Sequence, residues 1–265
     1  MKKLFLALAL ITFSVSASAQ FGKLKIDKKH VDAAKKTAQA LTITDEQMAQ
    51  YCQEYVDWMD KNNPVCNTTD SDPGMKQFAD RLDKIASQIP AIDGVKLDIK
   101  AYYVVNQNAF ACANGSIRVF AGLMELMTDD EILGIIGHEI GHIVNKDSKD
   151  GFKKALLTSA LKDVVGSTGN TAAALTESQL GDLGEALANA QYSQKAEYAA
   201  DDYGYELLKK CGKDAKSMAS ALRVIQKLQD DAGVDKSKTR QLFSTHPESG
   251  KRADKLEKKY EKENK

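Results

Sequence analysis

The stretch His138-Glu139-Ile140-Gly141-His142 limits what this chain can be more than any other. Residues four apart on an α-helix lie one above the other on the same face. His138 and His142 can therefore present two imidazole nitrogens to one tetrahedral zinc ion, with Glu139 beside them as a general base. Histidine is scarce, four in 265 residues, so a chance match is rare. The competing reading is two histidines and a glutamate along a partly buried helix. The flanks predict a helix either way. Thr128-Asp129-Asp130-Glu131 forms a capping-box pattern, and its acids suit the positive end of the helix dipole. Ile132, Ile135, Ile136, Ile140, Ile143 and Val144 then recur at helical spacing. Gly134, Gly137 and Gly141 each cost about 1 kcal/mol relative to alanine. That cost makes sense if something approaches the helix closely, either a neighbouring helix or a metal and a substrate backbone.

The first residues differ in kind. Lys2-Lys3, an apolar core from Leu4 to Phe13 and Ala17-Ser18-Ala19 before Gln20 predict a signal peptide over 1–19. Its core is too short to span a bilayer, and no later apolar run reaches about 18 residues. The expectation is an exported chain, periplasmic or secreted, with no transmembrane segment after cleavage. No cysteine near the cut offers a lipid-anchor site. Acids and bases balance at 37 each, so no general electrostatic attraction draws the chain to nucleic acid or anionic lipid. Export makes disulfides possible for Cys52, Cys66, Cys112 and Cys211. Cys52 and Cys66 close a short loop and are the expected pair. Cys112 and Cys211 read as small apolar fillers, with a Cys112 nucleophile as a weaker reading.

The remaining pattern predicts an α+β fold, mostly helical, with a small sheet next to the active-site helix. A helical appendage is expected over 20–70 and the main domain over 71–265. Thr44 starts one helix by a capping box, and Asp72-Pro73 starts another with proline at its first turn. Alternation from Val95 to Val105 predicts a strand, and Asn114-Gly115 predicts a hairpin between 108–113 and 116–121. Helices are expected over 147–165, within 171–189, and over 192–210 and 214–230. The Lys/Glu-rich segment 250–265 is expected as a further helix with a solvated face.

Zinc needs a further protein ligand and an open position. The other histidines are His30 and His246, so carboxylates enter. Glu197-Tyr198-Ala199-Ala200-Asp201 sets two acids at i and i+4. Glu197 can reach the metal while Asp201 accepts the N–H of a ligating histidine. The same spacing describes a surface pair in a chain that is 28% charged, and spacing alone leaves both open.

Four motifs occur in order: the 108–111 to 122–123 hairpin, His138-Glu139-x-x-His142, Glu197-x-x-x-Asp201, and Ser244-Thr245-His246-Pro247 with Arg252. Together, from about Pro73 to Arg252, they resemble the HtpX-like, CAAX-endopeptidase-related metallopeptidases (family forty-eight), above all members of the bacterial envelope. The resemblance implies a zinc endopeptidase of the gluzincin type. His138, His142 and Glu197 would hold one zinc ion per chain, with Glu139 catalytic and Asp201 behind the ligands. It puts the His246 loop near the cleft, which makes His246 a candidate donor to the oxyanion. A loop cap or a removable metal ligand are its alternatives, and Tyr192 is a weaker candidate donor. Unfolded or misassembled polypeptides as substrates, and outer-membrane assembly partners, are implied by the resemblance alone. An exposed edge at Ala111, Cys112, Ala113 and Asn114 would let a peptide add as one more strand, unless a loop covers it. A different class, an envelope chaperone or assembly factor, would hold chains in the same cleft without cutting them. Glu139 argues against it, because a structural zinc site needs no base.

Overall fold

A computed structural model describes residues 43–158, 174–231 and 245–265. The expected signal peptide, the segment up to Thr42 with His30, and the break at 166–170 lie outside the described residues.

Helix α1 (Asp45–Asn62) starts on the expected capping box. Thr44 Oγ1 accepts the Gln47 N–H at 3.2 Å, and Gln47 Oε1 accepts the Thr44 N–H at 3.0 Å. Helix α2 (Pro73–Ala86) is capped by Asp72, whose side chain accepts the Gly74 N–H at 2.7 Å. Strands β1 (Asp98–Tyr102), β2 (Ala109–Ala111) and β3 (Ser116–Phe120) then form a sheet in the order β1-β3-β2. β1 runs parallel to β3, from Asp98↔Ser116 to Tyr102↔Phe120. β2 runs antiparallel to β3, from Ala109↔Val119 to Ala111↔Ile117.

The first strand is shorter than its alternation suggests, and hydrogen bonding explains why. Val104 N–H turns back onto the Tyr102 carbonyl at 2.8 Å and ends the strand. The outer side of β1 is covered by the chain at 64–66, where Tyr103 N–H donates to Pro64 at 2.8 Å and Cys66 N–H to Ala101 at 2.9 Å. β2 is the other edge. Gly115 closes the hairpin at φ 93°, and a Cβ there would sit 2.1 Å from the Lys96 carbonyl oxygen, so only glycine fits.

The short helix α3 (Ala121–Met124) leads to α4 (Asp129–Val144), the spine of the molecule. Its capping box forms as expected, and every residue from Glu131 to Ile143 is buried. Then follow α5 (Asp147–Thr158), α6 (Glu177–Ala188), α7 (Gln194–Lys210), α8 (Lys216–Asp231) and α9 (Ser249–Glu263). The glycine stripe of α4 meets a helix. A Cβ on Gly137 would lie 2.8 Å from Gly204 Cα, and one on Gly141 would lie 2.8 Å from Ala200 Cα. Backbone contact with α7 therefore explains these glycines.

Among the described residues, two apolar clusters fill the interior. The larger gathers Phe78, Leu82, Ile117, Ile136, Ile140, Leu208 and Met218. The smaller holds Met48, Tyr51, Cys52 and Tyr55 of α1 with Cys112, Phe152, Leu180 and Leu183. Helix α1 is also fastened to the sheet by charge. Asp60 accepts from Arg118 Nε at 2.8 Å and Nη2 at 2.9 Å, and the Arg118 side chain is fully buried.

Two expectations are corrected. Cys52 and Cys66 are not paired and lie in separate clusters, and no two of the four cysteines are bonded in this structure. Most of the short loop between them is rigid helix, which carries the chain about 15 Å from Cys52 before it can turn at Asn63. Helix α9 is not only a solvated surface element. Ser249, Arg252, Ala253 and Leu256 are buried on one face, a helical spacing that the Lys/Glu-rich composition conceals.

Candidate active site

Helix α4 presents His138 and His142 with ring centroids 4.6 Å apart and Nε2 atoms 3.1 Å apart. Each ring is held from behind by a carboxylate. His138 Nδ1 lies 3.0 Å from Asp201 Oδ1, and His142 Nδ1 lies 3.1 Å from Asp147 Oδ2. With the Nδ1 protons directed to those carboxylates, both Nε2 atoms turn to the same point. Helix α7, pressed onto the glycines of α4, brings in Glu197. Its Oε1 lies 3.4 Å from His142 Nε2, and its Oε2 lies 3.8 Å from His138 Nε2. His246 completes the cluster, with Nδ1 3.0 Å from Glu197 Oε1 and 3.2 Å from His138 Nε2. All four side chains are buried, and their donor atoms lie within 4.8 Å of one another.

This donor set fits one zinc ion. Two ligands at about 2.05 Å from a tetrahedral zinc stand about 3.3 Å apart, close to the separations found here. Glu197 Oε2 is buried without a hydrogen bond and meets Arg252 Nη1 only as an ion pair. Burial would raise the Glu197 carboxyl, but His246, His142 and His138 hold it well below the usual carboxylate range. Burial would lower His142, yet Asp147, Glu197 and Glu139 raise it to about 9. His138 is drawn down to about 4, chiefly by burial and despite Asp201. The carboxylates thus favour positive charge at His142, whereas burial outweighs them at His138.

Glu139 follows His138 on α4 and is 3% exposed. Its Oε1 lies 3.7 Å from His246 Nε2. Burial, opposed by His246 and His142, raises its pKa. Its carboxylate borders a cleft of about 620 Å3, counting the part open to solvent. The opposite wall is β2 with its flanks, Asn108 to Cys112, and Tyr55, Phe152, Leu187 and Tyr192 make the cleft apolar. Ala111 and Cys112 therefore reach the cleft. Ala113 packs against the smaller cluster and Asn114 sits at the turn, where its Nδ2 donates to Gln53 Oε1 at 3.2 Å and its Oδ1 accepts the Ser116 N–H at 3.2 Å. Tyr192 stacks on His142 at 4.0 Å, and its N–H donates to the Thr245 carbonyl at 3.3 Å, next to His246.

Sequence reasoning misses Asp147, and names Arg252 in the motif behind the resemblance without giving it a role. Asp147 opens α5 just after Lys146, which turns the chain at φ 66°. Its only signal is an acid in a first helical turn. Arg252 reaches in from α9; its Nε donates to Asp201 Oδ2 at 2.8 Å, and its Nη1 and Nη2 pair with Glu197 and Asp201. An arginine at a buried position of the helical pattern was the available signal.

Comparison with known proteins agrees with the geometry. The profile of Peptidase family M48 matches residues 76–260. Metalloprotease LoiP of Escherichia coli is 38% identical over 217 residues, covering 82% of this chain and 78% of LoiP. Metalloprotease YcaL of the same organism is 34% identical over 215 residues, covering 81% and 80%. The mitochondrial metalloendopeptidase OMA1 of Arabidopsis thaliana is 32% identical over 173 residues, covering 62% of this chain and 32% of that protein. No helix among the described residues is long and apolar enough to cross a membrane. With a mostly helical fold, a small sheet beside the spine helix and a buried His/His/Glu cluster next to an apolar cleft, this chain belongs to peptidase family M48, the metallopeptidases.

Proposed function

We propose that the chain is a zinc-dependent endopeptidase of the bacterial cell envelope, exported by its first 19 residues, that cuts unfolded or misassembled polypeptides. The observation that carries the reading is the convergence of the His138, His142 and Glu197 donor atoms on one buried point, with Glu139 on the adjoining cleft. His138, His142 and Glu197 would hold the ion. When bound, zinc supplies Lewis-acid chemistry, acidifying water and polarising a carbonyl. Asp201 and Asp147 keep the two imidazoles oriented.

Glu139 acts as general base. It takes the proton of the attacking water and returns it to the leaving amine, and its burial makes it a better proton acceptor than an ordinary carboxylate. An extended substrate adds along β2 at Ala111 and Cys112, which brings its backbone past Glu139. That mode suits unfolded chains, misassembled outer-membrane proteins among them. His246 has two roles open to it here, donor to the oxyanion or fourth ligand, and its Nδ1 position among the donor atoms favours the second.

The test is Glu139→Gln beside wild type on casein, with zinc measured in both. Wild type and variant should each carry one zinc per chain, and the variant should lose at least about 100-fold in turnover. Undiminished cleavage would remove Glu139 from the mechanism, and a folded wild type without zinc would remove the metal centre.

A further inference from the structure

We propose that Cys52 and Cys112 become joined by a disulfide that staples helix α1 to the end of the edge strand β2, at the wall of the cleft. Both belong to the smaller cluster, at 0% and 3% exposure. The Cys52 thiol accepts the backbone N–H groups of Ala113 and Asn114, the two residues that follow Cys112. One residue further along each segment, Asn114 Nδ2 donates to Gln53 Oε1 at 3.2 Å. Helix and hairpin end therefore lie side by side, and the Cys52 sulfur rests within a residue of the Cys112 backbone. A disulfide demands such an approach. Cys66 belongs to the larger cluster and Cys211 packs against it. The Cys211 thiol donates to the Gln88 carbonyl at 3.3 Å.

The co-reactant is a disulfide, either oxidised glutathione or a dithiol oxidase of an oxidising compartment. One cysteine thiolate attacks it and expels one of its sulfurs. The second thiolate then attacks the mixed disulfide, forms the Cys52–Cys112 bond and expels the other. The two cysteines lose two electrons and two protons, and the oxidant is reduced to two thiols. Burial pushes the Cys52 thiol up to about 12 and the Cys112 thiol well above its ordinary value. Neither ionises readily once the cluster has closed. The bond therefore forms while the chain is folding and is afterwards shielded from exchange. It closes a loop of about 60 residues, long enough for a large effect on the unfolded chain. Because Cys112 lines the cleft, the staple also fixes the end of the strand on which a substrate would lie. None of this depends on the zinc chemistry.

The full chain, expressed with its leader into an oxidising compartment, is purified without reductant and equilibrated with oxidised glutathione. It is then alkylated under denaturing conditions and mapped by non-reducing peptide mass spectrometry. Two of the four cysteines should be alkylated, Cys66 and Cys211, and the peptides bearing Cys52 and Cys112 should travel as one until reduced. Cys112→Ala should raise the count to three. Four alkylated thiols in the wild type would overturn the proposal, as would a bridge from Cys52 or Cys112 to any other cysteine.

Discussion

Asp147 and Asp201 do the same work for different histidines. Each accepts an Nδ1 proton, so each sets the direction in which the opposite nitrogen offers its lone pair. Replacing either by asparagine keeps the shape and removes the charge. Asp201→Asn and Asp147→Asn should each weaken zinc binding by about 10–100-fold, measured by competition with a chromophoric chelator. A ligand exchange has a larger effect. Glu197→Ala should leave substoichiometric zinc after dialysis, and full retention would show that another group is the third ligand. At this scale the sequence is legible where partners are close along the chain. His138, Glu139 and His142 share one helical turn, and Glu197 and Asp201 share another. Asp147 acquires meaning only when α5 folds back on α4, and Arg252, legible as a motif residue, acquires its role only when α9 packs on α7; no spacing rule reports either.

The elements follow their local signals to different depths. The start of α4 is as the sequence predicts, because a capping box is a contact between neighbours. β1 is cut short by a turn and by pairing with 64–66, partners remote from its alternation. The Cys52–Cys66 expectation failed because residue count was taken for distance. The glycines of α4 left two explanations open, and the packing of α7 decides between them. Gly141→Val and Gly137→Val would push a side chain into the backbone of α7. Each should lower stability by about 1–3 kcal/mol, read as a lower midpoint of denaturant unfolding at unchanged slope.

At the scale of the described molecule, two buried arginines, Arg118 and Arg252, tie outlying helices to the centre. The first joins α1 to the sheet through Asp60. Burial would raise Asp60, but Arg118, Tyr102 and Lys100 outweigh it and hold the carboxyl below its usual range. A depressed folded pKa contributes stability above the unfolded value of about 4 and loses it as pH falls through the folded value. Acid unfolding of Asp60→Asn should therefore be less steep below about pH 4 than that of wild type. Asp60→Ala leaves the buried Arg118 guanidinium with Asp98 as its remaining carboxylate partner, at 2.9 Å, and should cost about 1–3 kcal/mol at neutral pH. The second joins α9 to α7. A chain ending before α9 should lose zinc along with stability, which metal analysis of the folded fraction would detect. Wild type should also melt at a lower temperature after chelation, because a ligand that binds only the native state raises its midpoint.

The contact between Gly137, Gly141 and the backbone of α7 has one more consequence. A crowded side chain can rotate to another rotamer, whereas two main chains in touch have no such freedom. The gap between the histidine pair and Glu197 is therefore set by the closest approach of two helices rather than by the side chains themselves. Any substitution that forces those helices apart acts on ion capture from a distance, with every donor still in place.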